Sequence, residues 1–325
     1  MAAIRSFMES HFLHFNAGEA LRAAQAYEAH INAGGKMFVT LAGAASTGRI
    51  GRILSRMIQE GKVHGLCCTG ANLEEDIMRL FASDEFVPLP NYRDLTAADE
   101  QSLFERGINR VTDVGIPETV MRKVEERLLR AWQQACRDDV RFMPHEFLWQ
   151  ALDEPGIELH FQSDPADSWV LTAKAHNIPI WVPGWEDSTT GNMFAAAVMT
   201  GLLPHHQCVA TGTEQMHRLM SWYIENHGKT SSSPSIGFFQ IGGGIAGDFP
   251  ICAVPALAQD AKVDVPLWGY FCQISDAQAI YGGYSGAPPN EKITWGKLGP
   301  DTPRFMIHSD ATIVAPLVFA YVLGD

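Results

Sequence analysis

The segment MFVTL, residues 37–41, is a short apolar run of the kind that forms a strand buried on both faces of a parallel sheet. It leads through Ala42-Gly43 into a helical stretch that ends near Gly61, and residues 63–68 (VHGLCC) repeat the strand signal. Later strand candidates are residues 178–182, 236–241, 265–274 and 305–308. Helical stretches separate or follow them, so the sequence predicts an α/β fold with a Rossmann-like parallel sheet and helices on both faces.

One long stretch, residues 82–164, has helical patterning and turn residues but no clear strand, which predicts a helical insertion between the second and third strands. The other predicted helices are residues 17–33, 118–136, 190–202, 213–226, 251–262 and 311–323. No Gly/Ser-rich or Pro-rich linker and no block of charge divides the chain. We therefore expect one domain over residues 1–325.

The composition excludes several classes of protein. Hydrophobic residues make up 46% and charged residues 19% of the 325, which excludes a disordered chain. A net charge of −13 argues against binding to a nucleic-acid backbone. The six cysteines form no CxxC pair, and no metal-ligand spacing is present, so we expect no metal. The longest apolar stretch, residues 311–324, is shorter than the roughly 20 residues that cross a bilayer. With no export signal at the N-terminus, these features predict a cytoplasmic protein without a membrane partner.

A glycine-rich segment, GGGIAG at residues 242–247, fits the GxGxxG pattern and follows a predicted strand. Asp248 and Pro250 are placed as the N-cap and an early residue of the next helix. The pattern alone leaves two interpretations open, a dinucleotide-binding loop or a tight structural turn.

Two other segments carry candidate chemistry. In TGANLEED, residues 69–76, three consecutive acids either hold ribose hydroxyls or a cationic substrate, or favour the start of a helix, and the pattern favours the second. In NEKITWGKLG, residues 290–299, Lys297 lies beside a tryptophan and two glycines, where a desolvated amine could attack a carbonyl or imine carbon. Most lysines at such spacing are solvated surface residues. Glu291 could act as acid or base, or pair with Lys292.

Six strings in order along nearly the whole chain resemble the deoxyhypusine synthase family, most of all its bacterial deoxyhypusine synthase-like branch. They are TGANLEED at residue 69, ERGINRV at 105, IPIWVPGWEDSTTGNM at 178, IGGG at 241, EKITWGK at 291 and SDATIVAPL at 309. The resemblance implies a Rossmann-like homotetramer with active sites between subunits. It also implies that NAD takes hydride from spermidine and that a lysine captures the 4-aminobutyl group as an imine. The group then passes to an acceptor amine, which is a protein lysine in the name-giving enzymes and putrescine in relatives that make homospermidine.

The resemblance also assigns roles to individual residues. Lys297 matches the imine-forming lysine, with Trp295 and Glu291 as pocket residues before it, and Glu74 lies where the substrate pocket begins. The positions that match NAD contacts are Ser46, Thr69, Glu75, Asp187, Gly243, Asp310 and Ala311.

Three positions depart from the family pattern. Asp248 stands where the family usually has a histidine that assists proton transfer, and Asn192 and Tyr284 replace two aspartates that hold the amines of spermidine. Each lost carboxylate removes charge-assisted contacts of about 1.5–3 kcal/mol. We therefore predict an NAD-dependent aminobutyltransferase and keep two alternatives: a homospermidine synthase-type polyamine enzyme with putrescine as acceptor, and a non-catalytic NAD-binding homologue.

Overall fold

The computed structural model describes residues 3–228, 234–279 and 282–325. The strands are β1 (Met37–Leu41), β2 (Gly65–Cys68), β3 (Val87–Pro88), β4 (Ile108–Val111), β5 (Val114–Pro117), β6 (Ile180–Trp181), β7 (Gly237–Ile241), β8 (Tyr270–Ile274) and β9 (Arg304–Ile307). The N-terminal helices are α1 (Ala3–His11), α2 (Phe15–Asn32), α3 (Gly51–Gln59), α4 (Gly70–Ala82), α5 (Ala97–Glu105), α6 (Arg122–Asp138) and α7 (Pro144–Ala151). The others are α8 (Trp169–Ala175), α9 (Thr189–Met199), α10 (Gly212–Asn226), α11 (Gly244–Ile251), α12 (Ala253–Pro255), α13 (Glu291–Thr294) and α14 (Ala311–Leu323).

Six parallel strands form the central sheet in the order β6-β2-β1-β7-β8-β9. Every residue of β1, β7 and β8 is buried, as expected for strands covered on both faces. All six predicted strands are present, and the α/β prediction is confirmed. The segment 265–274 is a strand only from Tyr270 onward. Pro266 has no N–H to donate to a ladder, and Trp268 forms an isolated bridge with Leu298.

Helices cover both faces because side chains alternate along each strand. On one face Phe38, Phe238 and Phe271 stack, with ring centroids 5.9 and 6.1 Å apart, and pack under α10, α11 and α12. On the other face Val39 and Phe239 pack with residues of α2, α3 and α14. Among the described residues, no helix is both long enough and apolar enough to cross a membrane.

The stretch from residue 82 to 164 differs from the expectation of a purely helical insertion. It holds α5, α6 and α7, but also a three-stranded antiparallel sheet in the order β3-β5-β4. A turn at Thr112 and Asp113 joins β4 to β5. The prediction of no strand here was wrong because these strands are two to four residues long and largely unburied, so they lack the apolar run that marks a core strand.

Candidate functional site

A cavity of about 360 Å³ lies between α11, α13 and the 282–290 loop. Five residues singled out in the sequence line it together: Asp248, Tyr284, Glu291, Trp295 and Lys297. Its other lining residues are Cys252, Gly282, Ala287 and Lys292. The structure therefore brings the proposed nucleophile, its neighbouring carboxylates and two aromatic rings into one place.

The turn that ends α13 holds Lys297 in the cavity wall, where its side chain is 9% exposed. Gly296 has φ +65°, a conformation that favours glycine, and it turns the chain so that the Lys297 N–H donates to the Lys292 carbonyl at 3.0 Å. The Lys297 carbonyl accepts from Trp268 N–H at 3.2 Å, which ties the turn to the sheet just before β8. The Nζ lies 5.3 Å from the centroid of the Tyr284 ring and 5.9 Å from that of Trp295.

Asp248 faces the lysine from α11, with Oδ1 3.4 Å from Lys297 Nζ. The prediction that Asp248 caps its helix was wrong, because α11 begins at Gly244 directly after the glycine turn, and Gly243 is its N-cap. Asp248 is thus a residue of the second turn and is free to point into the cavity. One turn further, Cys252 Sγ lies 3.8 Å from Asp248 Oδ1, and burial raises the pKa of this thiol.

Tyr284 closes one side of the cavity. It begins a short 3₁₀ turn over residues 284–286, and its hydroxyl donates to Gln240 Oε1 at 2.8 Å. Burial raises the pKa of Tyr284 well above its ordinary value, so the hydroxyl stays protonated and remains a donor.

Lys292 was missed as a site residue by the sequence reasoning. It is only 2% exposed, and its Nζ lies 4.9 Å from the centroids of both the Phe271 and the Tyr284 rings. Burial, followed by the positive charge of Lys297, lowers the pKa of Lys292 to about 8. The only signal in the sequence was that Lys292 lies five residues before Lys297. Lys292 belongs to α13, and this four-residue helix is too short for its sequence to show which face is buried.

A second cavity of about 580 Å³ lies at the carboxyl ends of β1 and β7, where open α/β sheets place ligands. Asp310 and Ala311 line it at the start of α14, and Gly242 lines it from the glycine turn. Gly242 has φ +77°, and a Cβ there would come within 2.9 Å of the Ala42 Cβ. The volume, the glycine turn and the strand-end position fit a nucleotide.

Ser46 and Thr69, two further predicted cofactor residues, support the loop between β1 and α3 that borders this cavity. The Thr69 hydroxyl donates to the Gly43 carbonyl at 2.7 Å. The Ser46 hydroxyl donates to the Asn72 carbonyl at 2.7 Å and accepts from Trp169 Nε1 at 3.0 Å. The nearby hydroxyl of Thr47, which lines the cavity, is hydrogen-bonded to Glu75. In this structure Ser46, Thr69 and Glu75, which were predicted to contact the cofactor, form hydrogen bonds with other residues of the chain.

The pattern favoured a position at the start of a helix for the three acids of the 69–76 segment, and this prediction was wrong. They follow the first turn of α4 and are buried, because α4 packs against α8 and α9. Glu74 accepts from the Thr189 and Thr190 N–H groups at 3.0 and 2.9 Å, at the start of α9. Asp76 accepts from the Ser168 hydroxyl at 2.5 Å and from Val170 N–H at 3.2 Å, at the start of α8. Burial raises the pKa of Glu75, and it raises that of Asp76 to about 7.

The remaining predicted residues lie apart from the lysine cavity. Asn192, on α9, donates to the Ser188 carbonyl at 2.5 Å and lines a separate cavity of about 360 Å³ between α6 and α9. Asp187 is exposed in the turn before α9. Gly243 allows close approach of Ser285, whose Oγ accepts from Gly244 N–H at 2.8 Å. Among the described residues, no three His, Cys, Asp or Glu side chains are grouped to hold a metal ion.

Known proteins are similar to this chain in sequence and in fold. Residues 5–322 match the protein family described as "Deoxyhypusine synthase". The chain is 28% identical over 282 residues to "Probable deoxyhypusine synthase 2" of Methanosarcina acetivorans, which covers 87% of this chain and 75% of that protein. It is 26% identical over 334 residues to the "Deoxyhypusine synthase-like protein" of Nostoc sp., covering 99% of this chain and 82% of that protein. The crystal structure of a deoxyhypusine synthase candidate from Entamoeba histolytica superposes with a TM-score of 0.56 at 12% identity, over 97% of this chain and 90% of that one.

Proposed function

This chain belongs to the deoxyhypusine synthase family, and we propose that it is an NAD-dependent transferase that moves a 4-aminobutyl group from spermidine or a related polyamine to an acceptor amine through an imine of Lys297. The observation that carries the proposal is the position of Lys297. Its amine is buried in a cavity together with a carboxylate and two aromatic rings, the environment that a lysine nucleophile needs.

The five residues of the cavity that were singled out in the sequence each have a role in this proposal. Asp248 is the carboxylate next to Lys297 Nζ, so it accepts the proton that the ammonium must lose before attack. The freed amine adds to the imine carbon of the oxidised donor. The bond from that carbon to the original imine nitrogen then breaks, so this nitrogen leaves as an amine with the rest of the donor while the new imine forms on Lys297. The rings of Trp295 and Tyr284 attract the cationic amines of the substrate by cation–π interaction. Glu291 lies at the exposed side of the cavity, where it attracts the same amines.

The cavity at the ends of β1 and β7 is the site that we propose for NAD. Asp310, Ala311 and Gly242 would line it, and Ser46, Thr69 and Glu75 would hold the adjoining loop in place. We also propose that Gly243 and Asp187 contact NAD, as the family resemblance implies. When bound, NAD supplies the hydride acceptor for the donor amine and returns the hydride after transfer.

We propose a homotetramer because the predicted substrate residues are divided between two cavities of one chain. Asn192 and Lys297 line different cavities, and the family resemblance implies active sites between subunits. We further propose that each subunit is a single domain and that the protein acts in the cytoplasm. Sedimentation velocity of the purified protein measures the assembly, and a stable monomer would contradict it.

The function is tested by intact mass spectrometry after the protein is incubated with NAD and spermidine and then reduced with borohydride. We expect one 4-aminobutyl adduct per chain, absent from Lys297→Ala. Lys262→Ala is the matched control, because Lys262 is an exposed lysine outside the cavity. An adduct that persists in Lys297→Ala would exclude Lys297 as the nucleophile.

The alternatives are separated by their products. The replacement of family aspartates by Asn192 and Tyr284 favours a homospermidine synthase-type enzyme, which forms its product with putrescine as the sole acceptor. If NAD binds and no polyamine transfers hydride, the chain is a non-catalytic homologue.

A further inference from the structure

Lys292 places a buried ammonium group in the wall of the cavity that holds Lys297. Its Nζ donates one hydrogen bond, to the Ala287 carbonyl at 3.2 Å. Within the described part of the chain, no carboxylate oxygen lies within 4.0 Å of this atom. An ammonium carries three N–H donors, so two of them have no acceptor from these residues.

The surroundings of Lys292 compensate its charge only in part. The rings of Phe271 and Tyr284 lie at 4.9 Å and attract a cation through their faces. With a pKa of about 8, Lys292 is still mainly protonated at neutral pH. A buried cation with free donors is costly unless an anion or another acceptor completes its shell.

The charges of the cavity are therefore balanced and not uniformly negative. Asp248 and Glu291 contribute two carboxylates, and Lys292 and Lys297 contribute two amines. An amine whose only charges are ammonium groups is attracted by the two carboxylates but gains nothing from Lys292, which repels it. A substrate that carries ammonium groups and one carboxylate meets an opposite charge on both sides.

We propose that the acceptor amine that enters this cavity carries a carboxylate, and that Lys292 binds this carboxylate while Asp248 and Glu291 face the ammonium groups. The inference rests on the proposed transfer at Lys297 and narrows the acceptor of that transfer to amines with an acidic group. Lys292 is then a specificity-determining residue, because it distinguishes a carboxylated amine from the amine without the acid.

The test compares two amines that differ only in the carboxylate. Ornithine is putrescine with a carboxylate on one terminal carbon, and the methyl ester of ornithine removes the negative charge. Isothermal titration of the full chain, with and without NAD, measures the dissociation constant of each. We expect ornithine to bind about 10- to 100-fold more tightly than putrescine, the difference that one charge-assisted hydrogen bond supplies. The ester should bind no better than putrescine.

Variants assign the preference to Lys292. Lys292→Met should remove it, and Lys292→Arg, which keeps the charge, should retain a preference for ornithine. Lys262→Met is the matched control, since Lys262 also donates to a backbone carbonyl, that of Gln259, but lies outside the cavity. It should bind both amines as the unaltered protein does.

Equal binding of ornithine and putrescine, or no binding of ornithine, would overturn the inference, as would a preference that survives Lys292→Met. If that variant does not fold, the comparison of ornithine with its ester on the unaltered protein decides alone. The borohydride adduct is read separately. An adduct without a preference for ornithine supports the transfer at Lys297 and overturns the binding of a carboxylate by Lys292. A preference for ornithine without an adduct supports the binding of a carboxylate and contradicts the transfer.

Discussion

Asp248 Oδ1 lies 3.4 Å from Lys297 Nζ, although 49 positions separate the two residues in the chain. Asp248 comes from α11, which follows β7, and Lys297 follows α13, which comes after β8. Because β7 and β8 are neighbours in the sheet, the segments that follow them meet at one edge. Asp248 is half-exposed, so the ion pair itself contributes at most about 1 kcal/mol to stability.

Replacing Asp248 by asparagine should slow the chemistry and leave the fold intact. We expect Asp248→Asn to form the Lys297 adduct about 100-fold more slowly, because no carboxylate next to the ammonium accepts its proton. The time course of borohydride trapping measures this rate. Asp260→Asn, an exposed carboxylate elsewhere, is the control. An unchanged rate in Asp248→Asn would assign proton removal to another group.

Removing the Tyr284 hydroxyl should reduce stability without removing the cavity wall. In Tyr284→Phe, Gln240 Oε1 loses its donor in a buried site, which should lower the free energy of unfolding by about 1–3 kcal/mol. The ring stays over the two lysines, so the adduct should still form. Urea denaturation measures the loss, and Tyr92→Phe, whose hydroxyl donates to no other described residue, should unfold as the unaltered protein does.

Glu74 should contribute to stability through α9. Both of its oxygens accept backbone N–H groups at the N-terminus of that helix, where a negative charge is favourable. We expect Glu74→Gln to lower the free energy of unfolding by about 1–2 kcal/mol, because the neutral amide keeps only one acceptor oxygen. Urea denaturation, with the exposed Glu105→Gln as control, checks this. Equal stability would show that the two hydrogen bonds contribute nothing net.

Asp76 should give the protein a pH-dependent stability. Burial raises its pKa from an ordinary 3.8 to about 7, so between these values the folded chain binds more protons at this site than the unfolded chain. The free energy of unfolding therefore falls as pH rises from 4 to 7. Asp76→Asn lacks this titration, and its stability relative to the unaltered protein should rise by up to about 4 kcal/mol across the window. Denaturation at each pH measures the difference, and parallel curves would exclude a raised pKa.

The central sheet was predictable from the sequence, whereas the small sheet was not. MFVTL at residues 37–41 and its counterparts are continuous apolar runs, because strands buried on both faces need apolar side chains at every position. Residues 108–117 form a hairpin at the surface, where polar side chains are tolerated and the periodic signal is lost.

The candidate site was predictable as a set of motifs, but not as a set of contacts. The strings around Lys297 and the glycine turn identified the family, and the family profile over residues 5–322 confirms it. The structure then separated the motif residues: five line the lysine cavity, while Asn192 lies on α9 and Glu74, on α4, accepts hydrogen bonds from the start of α9.

The sequence by itself determined the strands of the central sheet, most of the helices and the family, because local patterns of apolar residues and ordered motifs contain that information. Only the tertiary structure decided that Asp248 faces Lys297, that Lys292 is buried beside it, and that Glu74 and Asp76 cap other helices. These contacts join segments that are distant in the chain. They depend on the strand order of the sheet and on which side of each helix is buried, and the spacing within a short helix or loop does not determine either.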